Sequence, residues 1–546
     1  MDELWEDAGI VGSLPPDFVD SAEAQAALQV IGSKRDLLAR PAAHREPWPK
    51  SLGDARLTEL ALRISLWVER YEVMASEALA KVSPRNLLNL AYFDVASAKL
   101  RGHPDTQEVP MRRWIWAVGA AGQGTRLGVG MAPFLQAAQD WRNLLMLKHH
   151  VAPARSMGVE ALSTMEQDLL LSVRTRFAWG SVEVARQIVE CADGDIDMGE
   201  FDSLVDYLQR VAHSAGWLHG VPDAMSDGAM RLASRMATAE GARAGLTFGA
   251  LNSTRASILK PFVIVAGMML PANLEAATTR LHIPILELAR ETRTPKQSAA
   301  LMEQVCSRIF RKCPGATVRV GDLWMSAPEN DSEELDVVVT NRKRTRLLDV
   351  EVKSQYEGKD LPTTSKEHEQ GIGGVLEQLS RRRAAFTAGA EVTVNGTSFA
   401  LAPRSRFIGL AVMLHDYSGL IWRPGLPGEP VGSNLITMSD LAVVVATLKD
   451  DEELFTYLEY REQLLSDGRG LATDEFDILS HFLDHTHAEL RRQLRRRPYK
   501  SMFMVPPRDA HANLMTNMIK PSRTDIRAML RSLPYTDLHG FATSRM

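Results

Sequence analysis

The sequence is poor in cysteine. Its 546 residues include only three, Cys191, Cys306 and Cys313, and these form neither a Cys-x-x-Cys pair nor an even-numbered set. A disulfide framework and a cysteine zinc site are therefore not expected. Because disulfides are rare in reducing compartments, and this chain shows no sign of needing them, the composition favours a cytoplasmic protein.

Long apolar runs are also scarce. The longest, residues 261–271, begins and ends with proline and has about half the length of a membrane-spanning helix, which needs roughly 20 apolar residues. The N-terminal residues are acidic and lack the basic segment followed by apolar residues that is typical of a signal peptide. We therefore expect no membrane association and interpret residues 261–271 as a buried core segment.

Neither sign of charge is in large excess. The formal net charge is −5 at pH 7, so the chain as a whole has no basic signature of nucleic-acid binding. Any nucleic-acid surface must therefore be local. Hydrophobic residues make up 45% and charged residues 24% of the chain, which is typical of a soluble globular protein. The length exceeds what one hydrophobic core usually supports, so several domains are expected.

The sequence does contain two short apolar segments that predict a β-hairpin. Residues 334–340 (Glu-Leu-Asp-Val-Val-Val-Thr) and 347–353 (Leu-Leu-Asp-Val-Glu-Val-Lys) are separated by the polar, basic residues 341–346, which predict the turn. Asp336 lies at the start of the first strand. Glu351 and Lys353 are two residues apart, so period-two alternation directs both side chains to one face of the second strand.

Two carboxylates and an ammonium group on one side of an apolar hairpin require an explanation. Buried charges are costly unless they are paired or bind a metal ion. Carboxylate oxygens are preferred ligands of Mg²⁺, and a nearby ammonium group can orient an attacking water. A hairpin stabilised only by salt bridges is the structural alternative. Asp349 has the same parity as Glu351 and could form such a bridge to the basic turn at residues 342–346.

The pattern of Asp336, fourteen intervening residues and then Glu351-Val352-Lys353 resembles the core motif of the PD-(D/E)XK nuclease superfamily, which has the restriction-endonuclease-like fold. Leu335 stands where many members have proline. The resemblance implies hydrolysis of phosphodiester bonds with Mg²⁺, for which Mn²⁺ can substitute. Asp336, Glu351 and the Val352 carbonyl would hold the metal, and Lys353 would orient water or stabilise charge on the phosphate.

Two further residues are implied by the same resemblance. Many members carry a glutamate on the helix before the first strand, and Glu303 is the residue of this chain in that place, as a further metal ligand. Related nucleases often carry a glutamine on the helix after the catalytic strand, and Gln378 occupies that place. For both residues, an ordinary solvent-facing side chain is the alternative.

The order of predicted elements agrees with this resemblance. A helix over residues 294–313 is followed by a strand at 316–324, the hairpin, a helix at 372–386 and a strand at 406–414. We therefore expect an α/β restriction-endonuclease-like core of helix, three strands, helix and strand at residues 291–430. Residues 1–290 are predicted to be mostly α-helical, with a sensing or targeting role, and residues 431–546 to be a helical C-terminal extension.

Three basic segments are candidates for contacts with phosphate. Arg381, Arg382 and Arg383 follow Gln378 directly and are the predicted nucleic-acid contacts, because they flank the candidate site. The others are the turn at residues 342–346 and the arginine-rich residues 491–500. A charged run more often forms a solvated face, so neither of these is assigned a role.

These observations lead to the hypothesis of a metal-dependent nuclease in a prokaryotic defence or repair system, with DNA favoured as the substrate and RNA left open. The alternative is a nuclease fold without catalytic activity that binds nucleic acid or protein. The intact set of Asp336, Glu351 and Lys353 favours the enzyme. Endonuclease or exonuclease action, sequence preference, a protein activator bound by the N-terminal region and homo-oligomer formation are left open by the sequence.

Overall fold

The computed structural model of the chain shows a mixed α/β protein in which helices predominate. The described residues form sixteen stretches, and every structural statement below concerns these stretches: 14–38, 54–84, 117–126, 130–151, 178–213, 225–251, 258–265, 267–271, 274–326, 332–354, 373–414, 433–466, 470–471, 475–496, 503–504 and 523–532.

The part before residue 291 is mainly helical, as predicted. Its helices are α1 (Pro16–Val19), α2 (Ala22–Leu38), α3 (Asp54–Ala80), α4 (Met131–Val151), α5 (Ala178–Cys191), α6 (Met198–His213), α7 (Asp227–Arg235), α8 (Phe248–Leu251), α9 (Leu274–Thr279) and α10 (His282–Arg290). Its strands are β1 (Ala237–Thr238), β2 (Phe262–Val265) and β3 (Met268–Pro271).

Most described residues of the segment 261–271 are buried, as the sequence predicts, but they form strands in this helical region. Strands β2 and β3 pair antiparallel, and β1 adds to β2 in parallel. The β-branched residues of β2 favour a strand, and Gly267, with φ of 77°, permits the tight turn. This small sheet and helices α1–α4 and α8 enclose a first hydrophobic core.

The remaining elements surround the predicted hairpin. The helices are α11 (Pro295–Arg311), α12 (Gly373–Thr387), α13 (Met438–Thr447), α14 (Asp451–Ser466), α15 (Glu475–Asp484), α16 (His487–Arg496) and α17 (Arg523–Ser532). The strands are β4 (Thr317–Val320), β5 (Leu323–Ser326), β6 (Ser332–Glu334), β7 (Val337–Thr340), β8 (Arg346–Lys353), β9 (Glu391–Val394), β10 (Thr397–Ser398), β11 (Arg406–Met413), β12 (Ser433–Thr437), β13 (Gly470–Leu471) and β14 (Phe503–Met504).

A five-stranded sheet in the order β12-β11-β8-β7-β4 contains the hairpin. Strands β4, β7 and β8 pair antiparallel in succession, and β11 then pairs parallel to β8. Helix α12 provides the crossover between these parallel strands. The order helix α11, strands β4, β7 and β8, helix α12 and strand β11 agrees with the predicted order of elements.

The predicted strand at residues 316–324 is two strands in different sheets. It breaks at Gly321 and Asp322, whose φ angles are 78° and 46°. This left-handed backbone redirects the chain, so β4 joins the five-stranded sheet and β5 joins a second sheet of order β10-β9-β5-β6. The apolar alternation on both sides of Gly321 hides this break in the sequence.

The hydrophobic cores do not follow the predicted limits at residues 290 and 430. Strand β12 lies beyond residue 430 and pairs with β11 along its whole length. A second core contains residues of most elements from α5 to α17, including the buried stripe of α11 and most of α13. Helices on both sides of the predicted nuclease-like region therefore belong to its core.

Helix α11 begins where the sequence predicts. Thr294 is the N-cap residue, and its hydroxyl accepts a hydrogen bond from the Gln297 amide nitrogen while the Gln297 side chain accepts from the Thr294 nitrogen. Pro295 occupies the first helical position, where its missing N–H costs nothing. This capping box fixes the start of the helix that carries Glu303.

Asn341 organises the turn between β7 and β8. Its side chain is fully buried, and its Oδ1 accepts hydrogen bonds from the backbone nitrogens of Thr345 and Arg346, at 2.8 and 3.1 Å. Its Nδ2 donates to Glu452 on α14 at 3.1 Å. The turn is therefore closed by one amide side chain and attached by it to a C-terminal helix.

We expect Asn341→Ala to lower the free energy of unfolding by about 1–3 kcal/mol, because two partly buried backbone donors lose their acceptor. Denaturant unfolding followed by circular dichroism measures this change. Arg342→Ala is the matched control in the same turn, since its side chain is exposed and only its backbone N–H bonds to Asp451. Equal stability of the two variants would contradict the role given to the Asn341 amide.

Candidate functional site

The register of the hairpin places Asp336 opposite Glu351. Val337 pairs with Val350 in the antiparallel ladder, so the residues one step further along are Asp336 and Glu351. Directly opposed residues of an antiparallel pair direct their side chains to the same face. The fourteen-residue spacing in the sequence therefore corresponds to a cross-strand carboxylate pair.

The Asp336 side chain takes the place of a ladder acceptor at the end of β7. Its Oδ2 accepts a hydrogen bond from the Val352 nitrogen at 2.8 Å. The carbonyl of the next residue, Lys353, accepts a hydrogen bond from the Leu414 nitrogen on the β11 side. Because the hydrogen-bonding groups of successive strand residues point in opposite directions, the Val352 carbonyl lies on the Asp336 side. Asp336, Glu351 and the Val352 carbonyl, predicted as metal ligands, are thus neighbours.

Lys353 contacts Glu351 directly. Its Nζ lies 2.7 Å from Oε1 of Glu351, and the lysine side chain is 32% exposed while that of the glutamate is 4% exposed. Lys353 therefore connects a buried carboxylate to solvent at the end of β8. This is the position from which an ammonium group can meet both a carboxylate and an entering substrate.

Arg382 is buried beneath these residues, which corrects its assignment as a nucleic-acid contact. Its Nη1 lies 2.8 Å from Oε2 of Glu351 and 3.2 Å from Oδ2 of Asp349. Its Nε lies 3.1 Å from Oε2 of Glu333, and its Nη2 donates to the Glu334 carbonyl at 2.5 Å. With 1% of its surface exposed, this guanidinium neutralises the interior carboxylates and is not accessible to a phosphate.

The two neighbours of Arg382 lie in different surroundings. Arg381 is exposed and forms a 3.3 Å ion pair with Glu333. Arg383 is half-buried and forms a 2.6 Å ion pair with Glu462 on α14. Successive helix residues point about 100° apart, so an Arg-Arg-Arg run cannot present one basic surface. Arg381 alone stays a predicted phosphate contact near the hairpin.

Gln378 lies on the same face of α12 as Arg382, one helical turn earlier. It is half-buried. Helix α12 runs back along the sheet from the end of β8, so one turn earlier, about 5.4 Å, brings Gln378 towards the level of Lys353. The role of Gln378 at the candidate site stays a prediction.

Glu303 on α11 lies within electrostatic reach of the carboxylate pair. Burial, followed by the nearby carboxylates of Asp336, Glu334 and Glu351, raises its pKa to about 7. Lys353 opposes this shift. Glu303 therefore interacts electrostatically with the carboxylate pair, and its role as a third metal ligand stays a prediction.

The pKa values of Asp336 and Asp349 are also raised. Burial, followed by repulsion from Glu351, raises the pKa of Asp336 to about 6. Burial raises the pKa of Asp349 to about 7, although Arg382 opposes the shift. Burial is the largest cause of each rise in pKa and repulsion between these carboxylates adds to it, so a cation bound beside them would lower these pKa values.

The oxygen atoms available at this site suit a small, hard cation that binds few protein ligands. Within the described ranges, no group of three or more His, Cys, Asp or Glu side chains has an arrangement that could hold a metal ion. Asp336 and Glu351 with the Val352 carbonyl would thus supply oxygen ligands, and water the rest. Mg²⁺ characteristically binds through one or two carboxylates and retains several waters.

The ion-pair role of Asp349 differs from the predicted one. Asp349 is fully buried and pairs with Arg382, whereas the turn residue Arg346 pairs with Glu452 and Glu459 at 2.7 and 3.2 Å. The sequence shows that Asp349 and Glu351 share a face, which signals a second buried carboxylate. Its partner is not evident from the sequence because it comes from a helix more than thirty residues away.

Comparisons with known proteins add nothing to the evidence from the geometry. No protein-family model, curated protein or solved structure matches this chain. None of the helices within the described stretches combines the length and apolar character that crossing a bilayer requires.

We expect Arg382→Met to lower the free energy of unfolding by about 3–5 kcal/mol, because it leaves the Asp349 and Glu351 carboxylates buried without their partner. Arg381→Met, one residue earlier on the same helix, removes an exposed pair and should cost less than about 1 kcal/mol. Chemical denaturation of both variants beside the wild type measures the difference. Similar small losses in both would show that Arg382 is not the main counter-charge.

Glu303 should make stability depend on pH. Its folded pKa of about 7 lies above the ordinary value of 4.5, so the folded state retains a proton that the unfolded state releases. The contribution of this group to stability is therefore lost as pH rises from about 4.5 to about 7. In EDTA, Glu303→Gln should be more stable than the wild type above pH 7 and equally stable near pH 4.5.

Glu377→Gln, an exposed change on α12, is the control for this measurement and should show no such pH-dependent difference. Thermal unfolding at a series of pH values provides the comparison. A Glu303→Gln protein destabilised by the same amount at every pH would show that the carboxylate is not repelled by its neighbours.

Proposed function

We propose that this protein is a metal-dependent nuclease whose restriction-endonuclease-like core extends from α11 to β11. The observation that carries the proposal is the cross-strand pair of Asp336 and Glu351 with Lys353 beside it. The pair lies in a sheet of which the elements follow the order helix, three strands, helix and strand. The substrate is nucleic acid, and DNA is the first candidate.

Each residue of the site has a distinct task in this proposal. Asp336, Glu351 and the Val352 carbonyl would hold Mg²⁺, with Glu303 near enough to add negative charge or accept a proton. When bound, the ion supplies an activated water and neutralises charge on the scissile phosphate. Lys353, half-exposed beside Glu351, stabilises the charge that develops on the phosphate oxygens. Gln378 is positioned to orient substrate or water at the same end of the sheet.

Arg382 is a positioning residue in this scheme. It holds Oε2 of Glu351 at 2.8 Å, while Oε1 faces Lys353 at 2.7 Å. The glutamate therefore cannot rotate without breaking a buried ion pair, so its remaining lone pairs keep one direction. Such fixed orientation lowers the cost of arranging ligands at the moment of reaction.

The same contacts favour a second candidate, a nuclease fold that binds nucleic acid without cutting it. Both oxygens of Glu351 already have cationic partners, Lys353 and Arg382. If these partners satisfy the carboxylate fully, the ion is not needed and the site is structural. The two functions differ in whether Asp336 is required for chemistry or only for the hairpin.

Cleavage of supercoiled plasmid, single-stranded DNA and single-stranded RNA with Mg²⁺, Mn²⁺ or EDTA tests the proposal. We expect Mg²⁺-dependent cleavage by the wild type, and losses of about 10²–10³-fold in rate for Asp336→Asn and for Lys353→Met, as for removal of one preorganised electrostatic group. Glu377→Gln and Lys312→Met, which alter exposed side chains on other helical faces or elements, should cleave like the wild type.

Thermal unfolding of each variant shows whether the fold is kept. A loss of cleavage by a folded variant can then be attributed to a loss of catalysis. Cleavage that persists in EDTA or in Asp336→Asn would contradict the proposal. Nucleic-acid binding without cleavage in any metal, unchanged by Asp336→Asn, would favour the silent binding module.

A further inference from the structure

Three basic segments that are far apart in the sequence meet around one groove. The end of α12, the loop that leads into β11 together with the first residue of β11, and the start of α16 each contribute arginines to its lining. The groove has a volume of about 1270 Å³. We call it the arginine groove, defined by Arg383, Arg404, Arg406, Arg491, Phe386 and Phe399.

The carboxylates of the groove already have partners. Glu462 pairs with Arg383 at 2.6 Å, and Glu459 pairs with Arg406 at 3.3 Å and with Arg346 at 3.2 Å. Glu391 accepts a hydrogen bond from the Ser398 hydroxyl at 3.2 Å. Arginines therefore compensate the charges of Glu459 and Glu462, whereas the exposed Glu391 has only a hydroxyl partner and keeps its charge.

Arg404 and Arg491 supply free positive charge. Both side chains are exposed, and within the described part of the chain neither forms an ion pair with a carboxylate. Arg404 lies in the left-handed region with φ of 62°, in the short loop that leads into β11. The groove thus presents two available guanidinium groups to an anion.

Aromatic rings lie beside these guanidinium groups. Phe399 is half-buried, and the guanidinium of Arg344 covers its ring at 5.2 Å while Nη1 donates to the Ala400 carbonyl. Phe386, also half-buried, packs against Phe407 with ring centroids 5.3 Å apart. The groove therefore combines an aromatic wall with cations at its rim, which is the combination that binds unpaired bases and their phosphates.

We propose that the arginine groove binds single-stranded nucleic acid, with phosphates at Arg404 and Arg491 and bases against the groove-lining surfaces of Phe399 and Phe386 that Arg344 and Phe407 do not cover. A single strand fits better than a duplex because only unpaired bases can stack on protein rings. A strand fits better than one nucleotide because the groove exceeds the range of roughly 300–1,000 Å³ that is usual for small ligands. The choice of nucleic acid among polyanions rests on the proposed nuclease function.

The arginine groove and the Asp336 site lie at opposite ends of β8. Arg346 at the start of β8 lies opposite Arg406 of the groove in the parallel ladder, and Lys353 lies at the other end of β8. Seven residue steps at about 3.3 Å give a separation of about 23 Å. The groove is therefore a second site, and changes there do not touch the metal-binding residues.

Fluorescence anisotropy of a labelled oligothymidylate with the full chain in EDTA tests this proposal, because no cleavage occurs without metal. The double variant Arg404→Ala/Arg491→Ala should bind at least about tenfold more weakly. Its plot of log affinity against log salt should be less steep by about 1.4, since each lost phosphate contact on a single strand contributes about 0.7. Phe399→Leu should weaken oligothymidylate binding while keeping an apolar side chain in place.

Arg319→Ala is the matched control, because Arg319 is exposed on β4 at the far edge of the sheet. It should bind like the wild type. Unchanged affinity of the double variant, an equal loss in Arg319→Ala, or equal affinity for duplex DNA or for polyphosphate would overturn the proposal. Asp336→Asn should retain full binding in EDTA. Failure of that variant to lose cleavage would refute the nuclease function and leave the groove result unaffected.

Discussion

The buried ion-pair cluster around Arg382 is the interaction on which the rest of the site depends. Three carboxylates, those of Asp349, Glu351 and Glu333, converge on one guanidinium that is almost completely shielded from solvent. Removing such charges from water is expensive, and only mutual pairing with good hydrogen-bond geometry offsets the cost. The cluster therefore fixes α12 on the sheet as well as the direction of Glu351, because neither can move without separating buried charges.

Much of this arrangement is predictable from local pattern. The hairpin follows from alternation of apolar residues, the start of α11 from a threonine and a proline, and the pairing of Asp336 with Glu351 from their spacing. The role of Arg382 is not predictable in this way, because three successive arginines look alike in a sequence. Only the rotation of α12 about its own axis, relative to the sheet, determines which of them is buried. The break at Gly321 is likewise hidden, since a left-handed step leaves the hydrophobic pattern intact.

Basic residues of this protein take part in two different kinds of structure. Arg382 and Arg346 form ion pairs in the interior and with a neighbouring helix, whereas Arg404 and Arg491 remain exposed around an aromatic-lined groove. A near-neutral chain can thus still present a local cationic surface, because its carboxylates are paired with particular arginines and not distributed evenly. Counting charges along the sequence cannot separate these two groups, since the separation depends on which helices meet.

The short strand β12 has a consequence for the integrity of the whole sheet. It pairs with β11, in which every residue from Phe407 to Met413 is buried. A chain that ended at residue 430 would leave β11 as an outer strand with unpaired amides and an apolar surface on both sides. Such an edge recruits strands from other molecules, so the shortened protein would aggregate through intermolecular β-pairing before its chemistry could be observed.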